Sequence, residues 1–212
     1  MRKLLLGSIA LVVASCESGP TARRDASSSI PVPSASVESQ VAALEKASQP
    51  GLNHKELMAL CGSWDVHLVD VTIDGTEAEI ARGSAVIQSE YGGRFLRWDT
   101  SMNFGGAPHD TTGFVGYDLG NHEFQSMMIN DVSTGMSVAH GTGDLTRAGI
   151  RFTLELFDRA SGSRARMSSV LRMIDADHFA QDLLGGDAAG NELVVRRYHY
   201  RRRSPAPAPV TK

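Results

Sequence analysis

Cysteine is scarce. Cys16 and Cys61 are the only two in 212 residues, which excludes a scaffold built on disulfides. Histidine occurs as His54, His67, His109, His122, His140, His178 and His199. No two of these stand two, three or four residues apart, so no local pair has metal-ligand spacing. No Gly-x-Ser-x-Gly nucleophile elbow occurs. Gly141-Thr142-Gly143 meets Thr146 where a dinucleotide loop needs its third glycine. A basic excess is missing too: 21 basic residues face 24 acidic ones, a net charge of −3 that argues against a nucleic-acid binder. Long apolar runs are also absent. The mostly apolar run from Leu4 to Val13 has ten residues, whereas a membrane-crossing helix needs roughly twenty.

That short run has a different use. Arg2-Lys3 precedes it as a positive n-region, and Val13-Ala14-Ser15-Cys16 ends it, so residues 1–15 read as a signal peptide. The ending resembles the lipobox of bacterial lipoproteins, in which the cysteine is acylated and becomes the new N-terminus. Cys16 is therefore the expected lipidation site, and the bilayer the expected partner. In the enterobacterial sorting rule an Asp after that cysteine retains a lipoprotein at the inner membrane. Glu17 stands there instead, which points to the outer membrane, facing the periplasm. With Cys16 acylated, Cys61 has no partner within the chain and reads as a small buried thiol.

Glycine is abundant at 21 residues, which suits an all-β domain with many turns. Residues 16–36 are rich in Ser, Pro and Ala and read as a tether. Residues 37–52 read as a short helix or linker. A better helix starts at Asn53 as N-cap, with Glu56 three residues on and Gly62 as its stop. Leu57, Leu60 and Cys61 share one face of it, suited to covering a barrel end. The period then changes to two: Trp64, Val66 and Leu68 alternate with Asp65 and His67. Strand-like runs follow at 79–89, 94–103, 110–117, 122–130, 135–145, 149–157, 165–174, 178–184 and 192–202, separated by Gly-, Asp- and Asn-rich turns. About ten consecutive hairpins protect their edges most easily by closing, so residues 53–203 are expected to form an antiparallel up-and-down barrel. A two-sheet sandwich is the alternative. Residues 204–212 read as a tail.

Five stretches occur in one order: Gly62-Ser63-Trp64-Asp65-Val66, Gly92-Gly93-Arg94-Phe95-Leu96, Gly113-Phe114-Val115-Gly116-Tyr117-Asp118, Asn130-Asp131-Val132-Ser133-Thr134-Gly135 and Arg172-Met173-Ile174-Asp175. Together they resemble the domain-of-unknown-function 1579 family, from about Asn53 to Arg203. The resemblance implies a calycin-like, lipocalin-like barrel, with no established reaction or ligand. It also suggests that Trp64 plugs one end beneath a basic side chain of the last strand, Arg202, as in the lipocalin pattern.

The site reading rests on the last hairpin. A loop centred on Ala189 pairs Leu184 with Val194, Asp182 with Arg196, and Ala180 with Tyr198. The preceding turn puts Arg172 across from Ala180. Arg172, Asp182, Arg196, Tyr198 and Tyr200 are then expected to line the cavity as one patch, suited to the head group of an acidic amphiphile. The resembling family has apolar residues, often Met, at the positions aligned with Asp182 and Arg196. A register slip of one residue would put the patch outside. The expected function is a lipid-anchored binding module for a small apolar or amphiphilic ligand. A filled barrel serving as an accessory envelope protein is the alternative. A haem-binding or enzymatic barrel is the third class, with His140 or His199 as the candidate axial ligand. No catalytic residue, cofactor or resident metal is expected.

Overall fold

The computed structural model describes residues 36–158, 162–186 and 190–204. The expected signal peptide, Cys16, nearly all of the tether and most of the tail lie outside the described residues. The chain divides into two compact units, Met1–Val41 and Ala42–Lys212. Helix α1, Val37–Ala47, runs across that division and buries none of its residues.

Helix α2, Leu52–Met58, starts one residue before Asn53. Gly51 is its N-cap, and the Gly51 amide donates to His54 Nδ1 at 3.1 Å, a side-chain acceptor that helix-start signals centred on Asn53 overlook. The helix also ends before Gly62. Ala59, Leu60 and Cys61 continue as a tight turn with amide bonds three residues back. Gly62 then opens the first strand at φ +142°, where a side chain is strained. A Cβ there would lie 2.5 Å from Arg202 Nη1.

Ten strands follow: β1 Gly62–Val71, β2 Glu77–Glu90, β3 Phe95–Phe104, β4 Ala107–Asp118, β5 Glu123–Asn130, β6 Ser137–Asp144, β7 Gly149–Asp158, β8 Ser163–Asp175, β9 His178–Gly186 and β10 Glu192–Arg202. Each pairs antiparallel with its neighbours, and β1 pairs with β10 to close the barrel. Closure leaves no free edge. The two-sheet alternative is thereby replaced by one continuous barrel.

The period-two alternation now acquires an inside. Trp64, Val66, Leu68, Ala85, Ile87, Leu96, Phe124, Ile150, Leu171 and Phe179 are all fully buried and share one core. Crowding inside is met in places by removing a side chain. A Cβ on Gly83, which faces inward on β2, would lie 2.0 Å from the Ser101 carbonyl and 2.6 Å from Met102 Sδ. Three bulges break the ladders: between Leu68 and Val69 in the β1–β2 pairing, between Met173 and Asp175 in β8, and between Val194 and Arg196 in β10. The last of these decides where the expected site residues point.

Candidate functional site

The inner face of the barrel changes character from one end to the other. At the end where β1 begins, Trp64 is fully buried and donates from Nε1 to the Leu60 carbonyl at 2.9 Å. The Arg202 guanidinium lies 4.1 Å from the Trp64 ring centroid. Its Nη1 and Nη2 donate to the Cys61 and Ala59 carbonyls at 2.8 and 3.1 Å, and its Nε to the Ala176 carbonyl at 3.1 Å. Those first two carbonyls end the turn after α2, where orphan acceptors need donors. Trp64 and Arg202 are thus held together as a seal, with Leu57 and Leu60 buried in the same core. Cys61 is half-buried, and burial pushes its thiol pKa up, so it is a poor nucleophile.

Above the seal sits an aromatic layer. Phe179 stacks on Tyr200 at 4.2 Å and meets Trp64 edge-on at 4.6 Å. Trp98 meets Phe179 and Tyr200 edge-on at 5.5 and 5.3 Å. Beyond this layer the inward side chains of β5, β9 and β10 open to solvent, whereas Leu68 on β1, Ala81 on β2 and Met102 on β3 stay buried. On β10, buried Tyr200 gives way to half-buried Tyr198 and exposed Arg196. On β5, Phe124 at 1 % exposure gives way to half-buried Ser126 and to Met128 at 38 %. On β9, buried Phe179 is followed by half-buried Gln181 and Leu183. The barrel is therefore a cup, plugged at one end and open at the other.

Arg196 stands at the rim. It pairs with Asp70, directly across on β1, at 2.9 Å, and both side chains are about half exposed. Tyr198 lies below it. Burial pushes the Tyr198 hydroxyl pKa up, and the Arg196 charge offsets part of that rise. Tyr200, fully enclosed, is pushed up further by burial and then by Tyr198. Both phenols are neutral hydrogen-bonding groups at any physiological pH.

The five expected cavity residues are not one patch. Val194 pairs with Leu184 and Arg172 with Ala180, as the hairpin reading has it. The β10 bulge then adds one residue, so Asp182 pairs with Arg197 and Ala180 with His199. A bulge reverses which face each following residue occupies relative to the partner strand. Tyr198, Tyr200 and Arg196 stay on the inner face. Arg172 and Asp182 lie on the outer one, and the expected pairing of Asp182 with Arg196 is replaced by pairing with Arg197.

On that outer face an ionic chain runs over the β8–β9–β10–β1–β2 seam. Asp182, only 4 % exposed, accepts from Arg197 Nε at 2.5 Å and from Arg172 Nη2 at 3.1 Å. Arg197 Nη1 continues to Glu77 at 2.6 Å. His199 Nε2 lies 3.0 Å from the other Glu77 oxygen, and His199 Nδ1 lies 3.1 Å from His178 Nε2. One proton arrangement satisfies the chain: His199 donates to Glu77 and accepts from His178. The Asp182 hydrogen bond raises the Arg197 pKa against burial. Burial pulls the Glu77 carboxyl upward, but hydrogen bonds from His199 and Arg197 outweigh it and leave the pKa lowered. Burial, then the Arg201 and His199 charges, lower the His178 pKa.

The two histidines considered as haem ligands also face outward. His199 belongs to the ionic chain, and His140 is exposed beside Glu123 at 2.8 Å. Neither reaches the cup. Among the described residues no group of three or more His, Cys, Asp or Glu is placed to hold a metal ion. An open depression of about 440 Å³ also lies on the outer face, between Arg151, Arg166 and Glu192, away from the cup.

The sequence reading missed most of the cup wall. Trp98, Thr100, Gln181, Met128 and Met167 line its upper half, all partly accessible. For Trp98 the signal was present: Leu96, Trp98, Thr100 and Met102 alternate with Arg97, Asp99 and Ser101.

Comparison with solved structures finds matches at low identity. Rv2717c from M. tuberculosis is 17 % identical with a TM-score of 0.49, covering 74 % of this chain and 100 % of that one. A de novo designed fluorescence-activating β-barrel is 14 % identical with a TM-score of 0.37, covering 69 % of this chain and 95 % of the design. Comparison with curated proteins finds no match. A protein-family model described as "protein of unknown function (DUF1579)" matches residues 49–202, the whole barrel with its plugging helix, and the chain belongs to that family.

Proposed function

We propose that this chain is an envelope lipoprotein whose barrel takes up a small apolar or acidic amphiphilic molecule. The exposure of inward side chains toward the open end on β5, β9 and β10 carries the reading. A barrel packed solely for stability would bury its inward residues at both ends. Here the seal end is closed by Trp64, while Trp98, Tyr198, Met128 and Met167 remain accessible from the other end. Apolar walls with a few placed polar groups are what small-molecule sites use. An apolar tail would lie against Trp98 and the methionines, and a carboxylate head would exchange for Asp70 on Arg196. That exchange is cheap, because an exposed ion pair contributes only about 0–1 kcal/mol. Arg172 and Asp182 drop out of the ligand set.

The anchor is part of the same proposal. Acylation at Cys16 would hold the barrel at a bilayer, in the outer membrane facing the periplasm. Two or three acyl chains make such anchoring stable. Replacing Cys16 by Ala should move the protein from the membrane fraction to the soluble one, and unchanged membrane association would remove the anchor from the reading.

The aromatic layer of Phe179, Tyr200 and Trp98 favours a second reading, a barrel too full to bind anything. The two separate by mass spectrometry of organic extracts from purified protein, alongside Trp98 fluorescence during titration with a long-chain fatty acid. A co-purifying amphiphile and a Trp98 response support the cup. A clean extract with unchanged fluorescence supports the filled barrel. Arg196→Met should weaken fatty-acid binding while sparing a neutral apolar probe.

A further inference from the structure

The outer surface of the barrel is unevenly charged, and one hairpin stands apart. From Phe124 to Ala139 a single charged residue occurs, Asp131. Met127 and Val138 face each other across β5 and β6 on the outer side, with Ile129 one step further up. Val132 and Met136 lie in the connecting loop. These five side chains are 38–65 % exposed and form one apolar strip. The strip ends at the mouth, because β5 runs from the sealed end to the open one and Met128, its inward neighbour, lines the cup. Exposed apolar patches of this kind mark interaction surfaces.

We infer that this hairpin docks the barrel onto a zwitterionic phospholipid surface, with the cup mouth beside it. The inference rests on the proposed uptake of an amphiphile, and it names the source from which that ligand is taken. Three observations select the occupant. The strip carries no basic residue, and its one charge, Asp131, lies beside Asp110, whose carbonyl accepts the Asp131 amide at 3.2 Å. His109 Nδ1 is 3.6 Å from the Asp131 carboxylate. An anionic lipid surface would be repelled, and a neutral one would not. Met127, Met136 and the aliphatic side chains offer no aromatic or Arg anchor of the kind that dominates protein interfaces. Nineteen residues, 17–35, lie between Cys16 and Ser36, the first described residue. An acylated Cys16 would hold the protein at a bilayer, where weak contacts suffice. An amphiphile leaving the bilayer beside the strip would meet the cup mouth without crossing bulk water.

Hydrogen–deuterium exchange on the full chain tests this, with and without phosphatidylcholine vesicles, together with vesicle co-sedimentation. Exchange of the 127–138 backbone should slow several-fold with vesicles. The variant Val132→Ser with Met136→Ser should lose that protection and bind the vesicles roughly tenfold more weakly, as expected for two partly inserted apolar side chains. Unchanged exchange with vesicles would overturn the inference. So would protection that appears at high protein concentration without lipid, which would make the occupant a second copy. Vesicle binding that needs phosphatidylglycerol would also overturn it. A fatty-acid titration in solution keeps the two readings apart. Binding in solution without hairpin protection sinks the docking alone, and hairpin protection without any binding in solution sinks the cup.

Discussion

Two arginines of β10 face the inside of the same strand pair six positions apart, and they do opposite things. Arg202 lies across from Trp64 and Arg196 across from Asp70. Arg202 is held by the Trp64 face and three backbone carbonyls, and its side chain is 30 % exposed. Arg196 has one carboxylate partner and is 52 % exposed. A guanidinium with five donors in a fixed plane can be locked only where acceptors converge on it. The turn after α2 supplies such acceptors at the sealed end. One arginine therefore closes the barrel, and the other is free to change partners.

The sharpest way to break the sealed end is Trp64→Ala. It removes a fully buried indole together with its bond to Leu60, and should cost about 3–5 kcal/mol by denaturant unfolding. A loss below about 1 kcal/mol would show an end that does not depend on the plug.

The arginines themselves give the direct contrast. Arg202→Met strands three carbonyl acceptors and removes the cation over Trp64, so it should cost about 2–4 kcal/mol. Arg202→Lys should recover little, because an ammonium cannot reach all three acceptors. Arg196→Met should change stability by less than about 1 kcal/mol. Equal losses at the two positions in parallel unfolding curves would erase the distinction.

The same strand also carries an outward comparison. Asp182→Ala leaves Arg172 and Arg197 facing each other without their shared carboxylate, and should cost about 2–3 kcal/mol. A double-mutant cycle of Asp182 with Arg197 should show coupling of about 1 kcal/mol or more, while Asp182 with Arg196 should add within about 0.5 kcal/mol. Coupling of Asp182 to Arg196 instead would restore the unbulged register.

These contrasts show how far sequence pattern reaches. All ten strands were legible, because apolar alternation and Gly/Asp/Asn turns recur along this part of the chain. The Trp64–Arg202 contact was legible too, through a resemblance to the lipocalin pattern of a tryptophan capped by an arginine. The register of the last hairpin was not. Its bulge falls within Val194-Val195, two β-branched residues with no glycine or proline to mark the extra position. One uncounted residue moved Asp182 from Arg196 to Arg197 and took it, with Arg172, out of the cup. The start of α2 was missed for a similar reason: a glycine caps it, using a histidine side chain as the acceptor.

The smallest expected effect is a pH dependence of the outer ionic chain. Burial, then the Arg201 and His199 charges, hold the His178 pKa below its ordinary value of 6.5. In the unfolded chain His178 takes up its proton near pH 6.5; in the barrel it does so only at lower pH. Between those two values the unfolded state binds more protons, so stability is fully present above pH 6.5 and declines as pH falls. One such group changes stability by at most about 1.4 kcal/mol per pH unit. His54 has a pKa lowered mainly by burial and contributes with the same sign. Glu77, with its pKa lowered by His199 and Arg197 despite burial, adds a second decline below about pH 4.5. His178→Gln keeps a donor toward His199 but cannot be protonated. Its stability should therefore fall less than the parent's between pH 6.5 and 5, leaving the part due to His54. Identical slopes for parent and variant, measured by urea unfolding at each pH, would mean that His178 is not held neutral.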